Sequence, residues 1–139
     1  MFYSGKGYRV ALPTAREWQV AADGRADLEL HRAASRAGML VNATCEGRTP
    51  TRPLAVLTRH LTFGIQGKEV REQSELTVAG HPAIKVLLTG RLDGAPIEVE
   101  AYVVKGERCI YDLVYAAAPG EFAGGKADFE AFLSSFNGP

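Results

Sequence analysis

The stretch that decides the fold is HPAIKVLLTGRLDGAPIEVEAYVVKGERCIYDLVYAA, residues 81–117. Three runs rich in Val, Ile, Leu and Tyr, residue types that favour extended backbone, are separated by Asp93-Gly94 and by Gly106-Glu107. Asp-Gly between two such runs indicates a two-residue hairpin turn, because that turn needs a positive φ at both positions. The stretch therefore predicts a meander of three antiparallel strands over 81–92, 96–105 and 108–118.

Pairing Leu92 with Ala95 across the first turn sets the register of the whole meander. One face, called here the apolar face, then carries the cross-strand pairs Leu88 with Val99, Val86 with Ala101, Ile84 with Val103, Val103 with Ile110 and Val99 with Val114. The chain closes with an apolar stripe at helical spacing, formed by Phe129, Phe132, Leu133 and Phe136. We expect this C-terminal helix to pack on the apolar face.

The opposite side of the meander, called here the mixed face, alternates tyrosines with charges. Its candidate partner-binding residues are Lys85, Glu98, Glu100, Tyr102, Tyr111 and Tyr115. Tyrosine is favoured where one end of the ring is dry and the other is wet. A second predicted helix over 54–65, with a leucine stripe, is expected to cover one end of this face and leave the other end open to a partner.

The remaining segments complete one predicted domain of residues 1–139. Alternating apolar residues predict strands over 7–12, 27–33, 38–45 and 68–79, and in the last of these Val70, Leu76 and Val78 are expected on one side. The predicted fold is α+β, an antiparallel sheet of about six strands covered by helices in an α/β/α sandwich.

The composition excludes several classes of partner. Hydrophobic residues make up 46% and charged residues 23%, and sixteen basic side chains balance sixteen acidic ones. A neutral chain lacks the basic surface that nucleic acid or anionic lipid requires. The apolar runs are too short to span a membrane. No secretory signal is visible, which leaves open a cytoplasmic location or an envelope location with the leader or lipid anchor absent.

The two cysteines, Cys45 and Cys109, lie in strand-like runs far apart in the sequence. We expect two buried free thiols, and the alternative is a disulfide, which would indicate an oxidising compartment. No His, Cys or carboxylate set has the spacing of a metal site, so neither a metal nor another cofactor is expected.

Asp112 breaks the pattern of its strand, because the register places this carboxylate on the apolar face. A buried carboxylate must find a donor or shift its pKa upward. Asp112 is therefore either one member of a structural ion pair or, with His31, part of a pocket between sheet and helix. The sequence offers no paired acid and base, no nucleophile motif and no phosphate-binding loop, so an enzyme is not expected.

Three motifs in order resemble the Mog1/PsbP-like group. The start, Gly7 to Pro13 followed by Trp18, is similar to its "Y-x-v-x-l-P…W" opening, and Val78 to Ala83 is similar to its "v-x-G-x-p-a" turn. The closing aromatics that end at Ser134-Ser135-Phe136 resemble its last strand and helix. The resemblance implies the sheet described above, used as a non-enzymatic binding or assembly module, and it transfers no catalytic residue and no particular partner.

Two functions follow as hypotheses. The first is a binding or accessory domain that docks a protein or a cell-envelope complex through a surface of its sheet, as a possible lipoprotein. The second is a small-molecule binder or cofactor-free enzyme with a pocket near Asp112.

Overall fold

The computed structural model describes residues 1–14, 16–22, 24–45 and 64–139. Its elements, in chain order, are the strands β1 (Phe2–Tyr3), β2 (Arg9–Val10), β3 (Trp18–Val20), β4 (Leu28–Arg32), β5 (Gly38–Cys45), β6 (Gln66–Val78), β7 (His81–Leu92), β8 (Ala95–Lys105) and β9 (Cys109–Ala117), followed by the helix α1 (Phe122–Ser135).

Seven of these strands form one antiparallel sheet in the order β3-β4-β5-β9-β8-β7-β6. β1 and β2 form a separate pair beside it. The predicted meander is confirmed as β7-β8-β9. The sheet exceeds the six strands expected because Trp18–Val20 adds a short strand at one edge.

The first turn of the meander is confirmed in detail. Asp93 and Gly94 have φ values of 51° and 81°, which are the positive angles that a two-residue turn of this kind requires. Leu92 therefore pairs with Ala95, and Leu88 with Val99, as predicted. The turn between β6 and β7 has the same form, with φ values of 51° at Ala79 and 82° at Gly80.

The second turn of the meander is longer than predicted. Lys105 pairs with Ile110, so that Val103 lies opposite Asp112 and not opposite Ile110. The Gly106 N–H closes this wider loop on the carbonyl oxygen of Cys109, at 3.0 Å. Because the register shifts by two residues, every side chain stays on its predicted face.

The predicted position of the C-terminal helix is wrong, because α1 packs on the mixed face. Phe129 and Phe132 are completely buried against this side of the sheet, in one cluster with Tyr8, Tyr102 and Tyr115. Both faces of the meander carry enough apolar surface to receive a helix, so the stripe alone does not choose between them. On the mixed face the rings of Tyr102 and Tyr115 pack against Phe129, and the Tyr115 hydroxyl finds an acceptor within α1.

The apolar face is also buried. Two clusters on it are formed by Val86, Leu88, Val99 and Ala101 and by Ile84, Val103 and Ile110. Ile65 packs against the first of these clusters. The predicted helix over 54–65 lies outside the described residues, apart from its last two positions.

Candidate functional site

The candidate partner face is largely interior. Tyr111 and Tyr115 are inaccessible, Tyr102 is 6% exposed and Glu100 is 1% exposed, while Lys85 and Glu98 are half-buried. The expectation that the 54–65 helix covers one end of this face and leaves the other end open to a partner is therefore corrected for the tyrosines. The physical reason is the position of α1, which packs over them on this face and not on the apolar face.

Aromatic contacts join α1 to this face. The Tyr115 ring stacks on Phe129 with 5.5 Å between ring centroids, and its hydroxyl donates a 2.6 Å hydrogen bond to the carbonyl oxygen of Phe122. Tyr111 packs edge to face with Phe136 at 5.0 Å, and its hydroxyl donates to the carbonyl oxygen of Pro139 at 3.0 Å. The tyrosines are dry at the ring and satisfied at the hydroxyl, so they act as core residues.

Glu100 is the one buried charged residue of the described core. Its Oε1 accepts a 3.1 Å hydrogen bond from the Tyr102 hydroxyl and lies 3.9 Å from Nζ of Lys85. Its Oε2 accepts no hydrogen bond from any described residue. Burial, and then the negative charge of Glu100, raise the pKa of Tyr102 well above its usual range, so that Tyr102 remains a donor.

Lys85 lies between the buried carboxylate of Glu100 and the exposed carboxylate of Glu72. Its Nζ also lies 3.4 Å from Oε1 of Glu72 on β6, and the Lys85 side chain is 20% exposed whereas that of Glu72 is 50% exposed. The row from Glu100 through Lys85 to Glu72 thus runs from the interior to the outermost strand of the sheet.

β6 is one of the two edge strands of the sheet, and most of its side chains are exposed to solvent. Its first twelve residues, Gln66 to Thr77, are all exposed, and only Val78 is buried. We call these twelve residues the β6 strip. The strip carries Val70 and Leu76, which are 54% and 37% exposed, among the charged residues Lys68, Glu69, Arg71, Glu72 and Glu75.

A β-bulge divides the β6 strip. Val70 pairs with Leu88 and Glu72 pairs with Leu87, so Arg71 is an extra residue between them. The alternation of faces changes at this point, and Val70 lies on the opposite side of the sheet from Leu76 and Val78. The prediction that these three share a side is wrong, because a single inserted residue reverses the faces of everything beyond it.

Asp112 and His31 share the apolar face but do not form one site. His31 on β4 pairs with Gly38, which in turn pairs with Ala116, four residues along β9 from Asp112. At about 3.4 Å per residue and 4.8 Å per strand, their Cα atoms are roughly 17 Å apart. His31 is exposed, whereas Asp112 lies between Val103 and Asn42, and burial raises the pKa of Asp112 to about 7.

A second carboxylate, Asp27, organises the N-terminal segment, and the sequence analysis did not single it out. It accepts hydrogen bonds of 2.7 Å from Lys6 Nζ, 2.7 Å from the Tyr8 hydroxyl and 3.0 Å from the backbone N–H of Ala43. Desolvation alone would raise the pKa of Asp27, but these bonds outweigh it and the pKa is lowered. An aspartate at the start of a strand carries no sequence signal for such a role.

Cys45 and Cys109 form a disulfide, so the expectation of two free thiols is wrong. The two residues lie directly opposite each other at the end of β5 and the start of β9. β5 and β9 are not adjacent in sequence, so only the strand order brings the two sulfurs together.

Within the described ranges, no three His, Cys, Asp or Glu side chains are grouped as a metal ion would need. In the same residues, no helix is long and apolar enough to cross a membrane.

Comparison with known proteins identifies a fold and not a family. No family model and no curated protein matches the chain. LpqN of Mycobacterium tuberculosis, involved in cell envelope biogenesis, is similar with a TM-score of 0.69 and 14% identity, over 97% of this chain and 86% of LpqN. PsbP (CyanoP) of Synechocystis sp. PCC 6803 is similar with a TM-score of 0.63 and 12% identity, over 96% and 94%.

A third similar structure is PA94 of Pseudomonas aeruginosa, a protein of unknown function, with a TM-score of 0.61 and 11% identity over 96% of this chain and 83% of PA94. These similarities agree with the resemblance found in the motifs. The chain has a PsbP-like fold, a mostly antiparallel sheet with a C-terminal helix.

Proposed function

We propose that this chain is a non-enzymatic binding or accessory domain that docks to a protein or a cell-envelope complex through the β6 strip. One observation carries the proposal. Twelve of the thirteen residues of β6 are exposed, although the strand continues a sheet whose other long strands are largely buried. Because the side chains on both faces of β6 are exposed, this strand contributes little to the hydrophobic core. Contact with a partner protein would explain why the strand is thirteen residues long.

The chemistry of the strip suits a protein partner. Val70 and Leu76 offer one exposed apolar side chain on each face; Val70 lies between Glu69 and Arg71, and Leu76 lies between Glu75 and Thr77. Protein interfaces combine apolar contacts with a polar, hydrated rim, and the strip has both components. Of the candidate partner-binding residues on the mixed face, the half-buried Lys85 lies on β7 beside the strip, and Glu98 lies one strand further in, on β8. The proposed docking surface is therefore displaced toward the edge of the same sheet.

The disulfide supports an extracytoplasmic location for this role. Disulfides persist in oxidising compartments such as the bacterial periplasm and the cell surface, and they are rare in the cytosol. Among the similar structures, LpqN is a protein of cell envelope biogenesis. Both observations favour the envelope over the cytoplasm as the compartment in which this domain acts.

A second candidate function is a small-molecule binder or cofactor-free enzyme that uses Asp112. The raised pKa of this half-buried carboxyl favours it. The distance between Asp112 and His31 removes the partner that the sequence suggested for it, so we rank this function below docking.

The docking proposal is tested with three single variants that each place a carboxylate on an exposed apolar residue. Leu76→Asp and Val70→Asp alter the two faces of the β6 strip, and Val20→Asp is a matched control at the opposite edge, where Val20 is 55% exposed. Partners are captured from cells that express the protein, identified by mass spectrometry, purified and titrated by calorimetry.

We expect Val20→Asp to bind the purified partner as wild type does. At least one strip variant should bind about tenfold more weakly or worse, with an unchanged melting temperature. A partner that binds all four proteins equally would reject the strip as the docking surface.

A further inference from the structure

Within the part of the chain that the structure describes, the outer edge of β6 is a long row of backbone groups without a strand beside it. β6 pairs with β7 on one side only and is the last strand of the sheet order. Among the described residues, no strand pairs with its other side. The opposite edge of the sheet is β3, which has only three residues. An edge strand of thirteen residues is a ready template for pairing with another strand.

Charges and bulges on an edge strand ordinarily prevent indiscriminate pairing. In the β6 strip, however, both basic residues, Lys68 and Arg71, lie in the first half, together with Glu69, whose Oε1 lies 3.8 Å from Nη1 of Arg71. Glu72 and Glu75 lie in the second half, so the first half has a small net positive charge and the second half a negative one. When a second copy runs antiparallel, the two basic residues of each strand can therefore lie opposite the two acidic residues in the second half of the other.

We propose that two copies of this chain pair antiparallel along their β6 edges, with Lys68 opposite Glu75 and Arg71 opposite Glu72 of the second copy. This register also brings Glu69 opposite Ser74 and Val70 opposite Gln73. It joins the two seven-stranded sheets into one continuous sheet.

The faces of the side chains support this register. Residues directly opposite each other in an antiparallel pair must project from the same side of the sheet. The bulge at Arg71 makes this true here, because Val70 and Gln73 lie opposite Leu88 and Val86, which share one face. Glu69 and Ser74 likewise lie opposite Thr89 and Lys85 on the other face. Without the bulge, each of these pairs would point to opposite sides.

The charges select this register over its neighbour. Sliding the second copy by two residues toward the N-terminus sets Glu69 opposite Glu72, and like charges directly opposite each other are destabilising. In the proposed register no like charges lie opposite each other. The pairing uses the backbone groups at the outer edge of β6, whereas the docking proposal uses the side chains on the two faces of the β6 strip. The inference therefore does not depend on the docking function.

The test is sedimentation velocity of the whole chain over a range of concentrations, at low and high salt. We expect a wild-type dimer whose dissociation constant rises with ionic strength, since exposed charge pairs are screened. Lys68→Glu alone places two glutamates opposite each other, and Glu75→Lys alone places two lysines opposite each other. Each single variant should raise the dissociation constant about tenfold or more.

The decisive sample is an equimolar mixture of Lys68→Glu and Glu75→Lys. In the antiparallel register the glutamate that Lys68→Glu introduces lies opposite the lysine that Glu75→Lys introduces in the other chain, and the unchanged Glu75 of the first variant lies opposite the unchanged Lys68 of the second. The mixture should therefore dimerise about as tightly as wild type, although each variant alone dimerises about tenfold more weakly or worse. Glu130→Lys, on the exposed side of α1, is the charge-matched control and should dimerise as wild type does. Circular dichroism melts check that every variant is folded.

Two results would overturn the inference. A wild-type chain that remains monomeric at all concentrations would leave the open edge to a strand of another protein. Single variants that dimerise as tightly as wild type would place the dimer contact on another surface.

Discussion

At the scale of the residue, Asp112 couples stability to pH. Its pKa rises from 3.8 to about 7 because folding buries the carboxyl. The folded chain therefore holds this proton more tightly than the unfolded chain does. At a pH below 3.8 the carboxyl is protonated in both states, and Asp112 does not lower the free energy of unfolding. As the pH rises from 3.8 to about 7, Asp112 lowers the free energy of unfolding progressively, and above about pH 7 this loss stays constant.

We predict that Asp112→Asn removes this loss. Raising the pKa from 3.8 to about 7 corresponds to at most roughly 4 kcal/mol, and because Asp112 is half-buried we expect less than this limit. The variant should match wild type near about pH 3.5 and be more stable by roughly 1–3 kcal/mol near about pH 8. Urea unfolding at both pH values measures the difference, with Glu130→Gln as an exposed control. An equal difference at the two pH values would contradict the burial of the ionised carboxyl.

At the scale of the element, α1 approaches the sheet closely at one of two adjacent glycines. A Cβ on Gly125 would lie 2.6 Å from the hydroxyl oxygen of Tyr115 and 3.2 Å from Cζ2 of Trp18, both in packed rings. The three atoms nearest to a Cβ on Gly124 all belong to the guanidinium group of Arg32, at the far end of a flexible side chain, and the nearest is Nη1 at 2.7 Å. The sequence does not distinguish these two adjacent glycines, but the side chains that surround them in the structure differ.

Alanine at these two glycines should therefore have opposite effects. Gly124→Ala should leave stability unchanged or raise it by up to about 1 kcal/mol, because alanine is the better helix former and Arg32 can move. Gly125→Ala should lower it by about 1–3 kcal/mol, because the rings and the hydrogen bond to Phe122 must shift. Thermal and urea unfolding compare the pair, and equal effects would place α1 differently on the sheet.

At the scale of the whole molecule, the disulfide ties two strands whose cysteines are separated by 64 residues. Closing a loop of this length restricts the unfolded chain, and the expected contribution to stability is about 2–4 kcal/mol. We predict that Cys45→Ala with Cys109→Ala lowers the free energy of unfolding by this amount.

Reductant provides the matched control for the disulfide. Wild type in reductant should approach the stability of the double variant, and the double variant should not respond to reductant. A double variant as stable as oxidised wild type would show that the cross-link does not act on the unfolded chain in this way.

The sequence by itself determined the features that depend on near neighbours. Asp93-Gly94 specifies its own turn, and that turn carries the register of β7 and β8 through Leu88 and Val99 because side chains alternate with a fixed period. The helical stripe at Phe129 and Phe132 likewise marked a helix and its buried side. These signals lie within a few residues of the structures they specify.

Only the tertiary structure decided the features that depend on residues distant in sequence. The side of the sheet taken by α1 and the pairing of Cys45 with Cys109 both depend on how distant segments pack, which no local pattern encodes. The bulge at Arg71 shows the same limit within one strand, because its position depends on the pairing with β7. Periodicity reports which side chains avoid water, whereas long-range packing decides what they meet, and within the described residues that packing leaves β6 paired on one side only.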